Sequence, residues 1–300
     1  MITVSAVGDC ALGDLQHGAG APGSMSAHLD AVDDAMAYPF SRVREVLAHD
    51  DLTIANLEGV LTERRGFQND VFSVRGRPDW AAMLVNGSVE LVNLANNHSH
   101  DYGEAGYQDT KAALEAAKVA YFGRGTVDRR RIKGVDVVNL GYLGGPEGTL
   151  ERMQRDVRRE KREGTIVIVT FHWGVEGFYA LHPEQWKLGR GAIDAGAELV
   201  IGHHPHVLQG IESYRGRHIV YSLGNFVFGA NSTPGDTDSL IYQERFHLDG
   251  GRVARVEQVL IPVKFSGNRR ANDFRPMLLE GAERERVLAK VAELSKGASR

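Results

Sequence analysis

The chain is expected to fold as layered α/β, with sheets extended by antiparallel strands. Three observations carry this. Through the first two thirds, short β-branched runs alternate with helix-patterned segments, the order that builds sheets covered by helices. The next part changes character: alternating segments are joined by Arg215-Gly216 and Asp249-Gly250-Gly251, which are hairpin signals. Glycine supplies 35 of 300 residues, above the usual ~7%, as expected where turns are tight and backbones approach closely.

In order, Ile2 to Val7 reads as a buried strand ending at Gly8-Asp9, and Val43, Val46 and Leu47 mark a helix. Leu52 to Leu57 is a second strand, ending at Glu58-Gly59. A short helix is expected over Asp79 to Val85, then a strand at Leu91 to Leu94 that breaks into Asn96-Asn97-His98. Glu104 to Ala117 is helical, because Ala112, Ala113, Leu114 and Ala116 favour it. Strands are expected at Val119–Phe122 and Val135–Leu140, followed by a charged helix from Thr149 to Glu163. Thr165 to Phe171 is the clearest buried strand and delivers His172. Glu184 to Ala195 is a helix, and Glu198 to Ile201 a strand stopping at Gly202-His203-His204. Ile211–Tyr214, His218–Ser222, Glu244–Leu248 and Arg252–Ile261 alternate as hairpin strands, and Leu279 to Ser295 closes the chain as a helix. No repeat, low-complexity block or Pro/Ser-rich linker divides it. One domain over 1–300 is expected, with a motif-bearing core of about 1–230 and antiparallel strands plus a helix in 231–300.

Composition narrows the function. There are 35 Lys+Arg against 39 Asp+Glu, a formal charge of −4, which gives no electrostatic reason for nucleic-acid or membrane-surface binding. A single cysteine, Cys10, excludes an intramolecular disulfide and a thiolate zinc cage; beside Asp9 in a strand, it should face the other way and be inert. No apolar run approaches the roughly 18–20 residues that span a bilayer. Met1 leads straight into Ile2-Thr3-Val4 with no signal-peptide pattern, so a cytoplasmic protein is expected if Met1 is the natural start.

The recurring event is a strand whose C-terminal end delivers a polar cluster: Asp9, Glu58, Asn97-His98, His172, and His204 with His206. In α/β folds the loops at the carboxyl ends of strands converge on one edge. Taken singly, Asp9 reads more readily as a turn cap, Glu58 as a surface carboxylate and His172 as a satisfied core histidine. His204-Pro205-His206 is harder to dismiss, since proline stiffens the loop. Five coincidences at five strand ends are not credible. Carboxylates, an amide and imidazoles together suit one or two divalent ions of the Mn, Fe, Zn or Mg kind.

Six ordered motifs carry a resemblance: Gly8-Asp9; Asn56-Leu57-Glu58; Ala95-Asn96-Asn97-His98 with Asp101-Tyr102-Gly103; His172-Trp173-Gly174 with Glu176; Gly202 with His204-Pro205-His206 and Gln209; and Tyr221-Ser222-Leu223-Gly224-Asn225-Phe226. Over roughly residues 1–230 these resemble the signature of the CapA/PgsA family of poly-γ-glutamate capsule synthesis proteins, which is similar to calcineurin-like metallophosphoesterases. The resemblance implies a metallophosphatase-like four-layer α/β/β/α sandwich with mixed sheets around a two-metal centre. It implies Asp9 and His206 on one metal, Glu58 as the bridge, Asn97, His172 and His204 on the other, and His98 as the catalytic histidine. The superfamily's first motif is Asp-x-His, whereas this chain has Ala11 in the third position, and Glu58 is longer than the usual bridging Asp. Asp14 replaces the lost ligand only if its loop folds back.

Asp101 either orients His98 or His100 or caps the helix near Glu104. Glu176, Asn225 and Arg75 are candidate pocket residues, Arg77 a lesser one, and Trp173 is core or platform. Arg129-Arg130-Arg131 and the 151–163 helix, with six basic and four acidic side chains, read as exposed faces. The expected function is a metal-dependent hydrolase of the phosphoesterase kind, acting on a small molecule or a γ-glutamyl polymer. The alternatives are a non-catalytic assembly protein of capsule biosynthesis and a γ-glutamyl amide hydrolase or ligase.

Overall fold

The computed structural model describes residues 1–66, 72–268 and 270–298. One mixed sheet runs β17 (Met277–Leu278), β16 (Arg252–Lys264), β15 (Asp238–Asp249), β1 (Ile2–Ala11), β3 (Leu52–Leu57), β6 (Leu91–Asn93) and β7 (Ala120–Phe122), with β14 (Asn225–Phe228) paired to the end of β1. A second runs β12 (Ile211–Tyr214), β13 (Arg217–Val220), β11 (Leu199–His203), β10 (Ile166–His172), β9 (Val135–Leu143) and β8 (Asp128–Ile132). A small third sheet joins β2 (Asp14–Leu15), β5 (Val74–Gly76) and β4 (Val60–Leu61).

The two large sheets pack face to face. Ile2, Val4, Leu52, Ile54 and Leu91 of the first meet Val135, Ile166, Ile168, Leu199 and Ile201 of the second. The outer face of the first sheet is covered by α1 (Met25–Leu29), α2 (Arg44–Leu47), α3 (Ala81–Asn86) and α4 (Gly103–Ala117). That of the second is covered by α5 (Thr149–Glu160) and α6 (Pro183–Ala195). The layering is α/β/β/α. After residue 230, β15 pairs antiparallel with β1 and widens the first sheet, while α7 (Gly281–Ala298) sends Val287 and Val291 into the inter-sheet core.

Most expected elements lie within a few residues of their positions. The arginine run 129–131 lies on the edge strand β8, with Arg129 and Arg131 exposed as expected, and there Arg129 pairs with Glu160, Arg130 with Asp128 and Arg131 with Asp136. Charged pairs on an edge strand discourage a further strand from docking there.

Candidate metal centre

Strand parity and one irregularity build the centre. Side chains two apart share a face. Along β10, Ile166 and Ile168 face the other sheet and the same period carries His172 there; along β11, Leu199 and Ile201 carry His203. In the first sheet, Leu52 and Ile54 carry Asn56, and Leu91 carries Asn93. In β1 the register with β3 shifts between Ala6 and Asp9. This bulge reverses the parity, so Asp9 rather than Gly8 joins the inter-sheet face and Cys10 packs on the helix side. Burial pushes the Cys10 thiol up to about 12, so it is inert. Gly8 and Gly202 permit the close approach: a Cβ on them would lie 2.2 Å from the Gly224 carbonyl oxygen and 2.1 Å from that of Tyr221.

The fully buried Asp9 is engaged on both oxygens. Oδ1 accepts from Asn56 Nδ2 at 2.9 Å and lies 3.1 Å from His203 Nδ1. Oδ2 accepts from the His204 amide at 3.1 Å and lies 3.2 Å from His206 Nδ1. Burial alone would raise this carboxyl, but hydrogen bonds and charge from His203 and His206 hold it well below the usual range. His204 and His206 have φ of +98° and +58°, a left-handed backbone that is costly for non-glycine residues and characteristic of functional sites. This kink sends successive histidines to different sides of Asp9.

Glu58, 1% exposed, is the opposite case: neither carboxylate oxygen has a hydrogen-bond partner among the described residues. Its Oε1 lies 3.4 Å from His172 Nε2 and 3.7 Å from His206 Nε2. Burial, with Asp9's charge added, raises its pKa, while His206 opposes the rise. His206 goes the other way: burial lowers it, but Glu58 and Asp9 more than offset that and it holds its proton. His172 Nε2 and His204 Nδ1 are likewise buried without hydrogen-bond partners, and burial lowers the pKa of both rings, keeping them neutral. Donor atoms of Glu58, His172 and His204 lie within 4.8 Å of one another, as do those of Asp9, Glu58 and His206, and of Glu176, His204 and His206. Buried polar atoms left unpaired are costly; two imidazole nitrogens and a carboxylate converging unpaired fit a divalent cation.

Asn56 organises the interior. Its Oδ1 accepts from Asn93 Nδ2 at 2.9 Å and Asn96 Nδ2 at 3.3 Å. Those amides are oriented by the backbone, since Asn93 Oδ1 accepts from the Ala95 amide and Asn96 Oδ1 from the His98 amide. The Asn56 NH2 accordingly faces Asp9 and His172 Nδ1, the latter at 3.2 Å. The neutral His172 ring then carries its proton on Nε2, toward Glu58. Ligation through Nε2 requires the proton on Nδ1 and the Asn56 amide turned over.

A cavity of about 370 Å³ opens onto the centre, lined by Glu58, Asn97, His98, Glu176, His206 and Asn225 on its polar side and by Phe72 and Phe228 on its apolar side. His98 Nδ1 pairs with Asp101 Oδ2 at 2.8 Å, and the same oxygen accepts from the Val74 amide at 2.7 Å. Asp101 thus orients His98, while α4 begins at Tyr102 with no side-chain cap and His100 pairs with Glu104. Burial lowers the His98 pKa, but Asp101 and the Glu58 charge raise it further than that.

The structure thus brings together Asp9, Glu58, His172, His204 and His206, with His98, Asp101, Glu176 and Asn225 around the opening. Asn97 is exposed on the cavity wall, and Asn96 is the buried residue of the pair. Asn225 Oδ1 accepts from His206 Nδ1 at 2.9 Å. Arg75 does not line the cavity; its guanidinium lies over the Tyr102 ring, 5.9 Å from the centroid. Asp14 is occupied by the Met25 and Ser26 amides at the start of α1 and replaces no ligand. Trp173 is core, stacked on Phe171 and donating to the Tyr221 carbonyl. Sequence reasoning does not single out His203 or Asn56 as centre residues; strand parity, applied to Leu199-Ile201-His203 and Leu52-Ile54-Asn56, is the signal that finds both.

The motif order on this geometry agrees with comparison to known proteins. The family model described as bacterial capsule synthesis protein PGA_cap matches residues 3–230. The chain belongs to this family. Among PGA_cap relatives, it is similar to the capsule biosynthesis protein CapA of Bacillus anthracis, at 28% identity over 256 residues, 76% of this chain and 62% of that one. The PGA biosynthesis protein CapA of Bacillus subtilis (strain 168) is 27% identical over 75% of this chain and 64% of its own. A probable polyglutamine synthesis accessory protein of Mycobacterium tuberculosis is 32% identical over 59% of this chain and 55% of its own. The chain therefore spans somewhat under two thirds of the length of these relatives. A crystal structure of a hypothetical protein from Thermus thermophilus matches with TM-score 0.52 over 87% of this chain and 99% of that one, at 17% identity, a likeness of fold alone. Among the described residues, no helix is long and apolar enough to cross a membrane.

Proposed function

We propose that this PGA_cap chain is a metal-dependent hydrolase of the phosphoesterase kind, acting in the metabolism of a poly-γ-glutamate capsule and holding a divalent ion on Glu58, His172 and His204. The observation that supports the reading is the set of buried, unpaired donor atoms on those three residues, of which Glu58 lines a cavity together with His98, itself paired with Asp101. A divalent ion held there supplies Lewis-acid polarisation of a scissile ester and lowers the pKa of a bound water.

The chain's own groups supply the rest. His98, whose protonated form Asp101 favours, would donate its Nε2 proton to a leaving oxygen. His206, cationic between Asp9 and Glu58, offsets negative charge at the cavity floor. Phe72 and Phe228 give the cavity one apolar wall. Asp9, with both oxygens engaged, supports one ion over two, and Ala11 leaves the other position a ligand short.

The second reading, a non-catalytic assembly protein, draws on that same closed Asp9. One experiment separates them: metal content per chain, then hydrolysis of bis(p-nitrophenyl) phosphate and p-nitrophenyl phosphate with added manganese, with γ-linked glutamate oligomers followed in parallel by mass spectrometry. Turnover of an ester by loaded wild type, lost in His98→Ala at unchanged metal content, is the expected result. Loaded protein that turns over no substrate overturns hydrolysis in favour of assembly, and cleavage of the oligomers alone replaces the ester with an amide.

A further inference from the structure

A second cavity, of about 600 Å³, lies at the same carboxyl edge and, apart from Ala95, is lined by no motif residue. Its walls are Ala95, the 124–127 turn after β7, the end of β9 from Leu140 to Leu143, and the outward side of α5. It carries three guanidinium groups, Arg124, Arg152 and Arg159, against one carboxylate, Asp156. Asp156 is already held, accepting from Tyr142 Oη at 3.0 Å and pairing with Arg159 at 2.9 Å. Arg152 lies over the Tyr142 ring and is 3.4 Å from Thr149 Oγ1, and among the described residues it has no carboxylate partner. Arg124 donates to neutral groups, Ser99 Oγ and the Asn96 carbonyl, both at 2.8 Å.

This cavity and the one at the metal centre share a wall. Ala95 lines the first, Asn97 and His98 line the second, and Arg124 grips the residue between them. Strand β9 neighbours β10, whose last residue is His172, so the arginine cavity begins roughly one strand spacing, about 5 Å, from that histidine's strand. The central cavity, by contrast, has no lysine or arginine among its described lining residues. Beyond His98 and His206 at the reacting centre itself, anionic groups of a substrate therefore meet no lysine or arginine among the described residues until they cross the 95–98 loop.

We propose that the arginine cavity is a carboxylate subsite that takes the side-chain carboxylates of a polyanionic chain, such as γ-linked polyglutamate, while one of its ends or linkages occupies the metal centre. The inference rests on the function proposed above and assigns it a polymeric rather than a small substrate. Arg152 is the binding group, since a guanidinium fork matches a carboxylate, while Arg159, paired with both Asp156 and Glu160, adds positive charge to the same wall. Arg124 is a positioning residue, fastening the loop that carries His98.

The test uses a fluorescently labelled γ-linked glutamate decamer and anisotropy, with the loaded and chelator-treated 300-residue chain. Arg152→Glu is expected to weaken decamer binding at least tenfold and to flatten its salt dependence, and Arg152→Gln with Arg159→Gln to weaken it less. Metal content and melting temperature should stay at wild-type levels. Because decamer binding is also read without metal, loss of the metal reading leaves this measurement intact. No decamer binding by wild type, or unchanged affinity in all these variants, overturns the proposal. Inorganic phosphate displacing the decamer at concentrations where free glutamate does not would overturn it too, by making the cavity a phosphate site.

Discussion

Replacing Glu58 by methionine should make the metal-free protein more stable and the metal-loaded protein less so. The carboxylate is 1% exposed, both oxygens lack hydrogen bonds, and the nearest donors are 3.4 and 3.7 Å away at angles or distances that make no bond. Leaving such a group buried costs roughly 1–3 kcal/mol, and methionine fills nearly the same volume without that cost. At about 2 °C per kcal/mol for a chain of this size, Tm without metal should rise by about 2–6 °C. With manganese at about 1,000 times Kd, wild type should gain about 4.1 kcal/mol and Glu58→Met almost nothing, so the order of stability reverses. Scanning calorimetry with chelator and then with manganese reads both halves. A metal-free Glu58→Met protein that melts below wild type would refute the reasoning, because it would mean the carboxylate is a satisfied structural group.

Asp101→Asn should lower the His98 pKa, since the Asp101 hydrogen bond and the Glu58 charge are what overcome burial, and should cut ester hydrolysis roughly 10²-fold; histidine NMR titration and kinetics at constant metal content check the two separately. Loading metal should move the His172 proton from Nε2 to Nδ1, visible in 15N shifts of the ring, and an unchanged tautomer in loaded protein would remove His172 from the ligand set. Burial raises the Asp238 pKa, but Arg286 and Lys290 more than reverse this and hold it at about 2. A carboxyl depressed in the folded state contributes stability that is full above its unfolded value near 4 and fades as pH falls toward 2. Arg286→Ala should accordingly cost about 2 kcal/mol at neutral pH and progressively less in acid, as read from urea unfolding at several pH values.

Much of this protein is legible from local pattern. Leu52–Leu57 and Ile211–Tyr214 form strands within the bounds their alternation and apolarity suggest, and the strands either side of Asp249-Gly250-Gly251 form the long β15–β16 hairpin. Clusters at strand ends, read as donors, do converge for Asp9, Glu58, His172, His204 and His206, because parallel strands of stacked sheets end at a common edge. The short strands β2, β4 and β5 and the edge strand β8 are not legible in this way, since two or three residues, or an arginine run, carry no periodicity of their own.

What the chain's own order determines is which residues reach that edge; which of them face one another is decided by the stacking of two sheets. The bulge between Ala6 and Asp9 turns a carboxylate inward, and the kinked backbone at His204 and His206 distributes three histidines around it. Asn56 ties Asp9 to His172, 116 positions away from it in sequence. Arg75 and Asp14 carry plausible chemistry in the sequence but are drawn off by Tyr102 and by the start of α1. Periodicity is a property of neighbours along a strand, whereas a ligand cage is a property of side chains brought opposite by long-range packing, and only the tertiary structure supplies that.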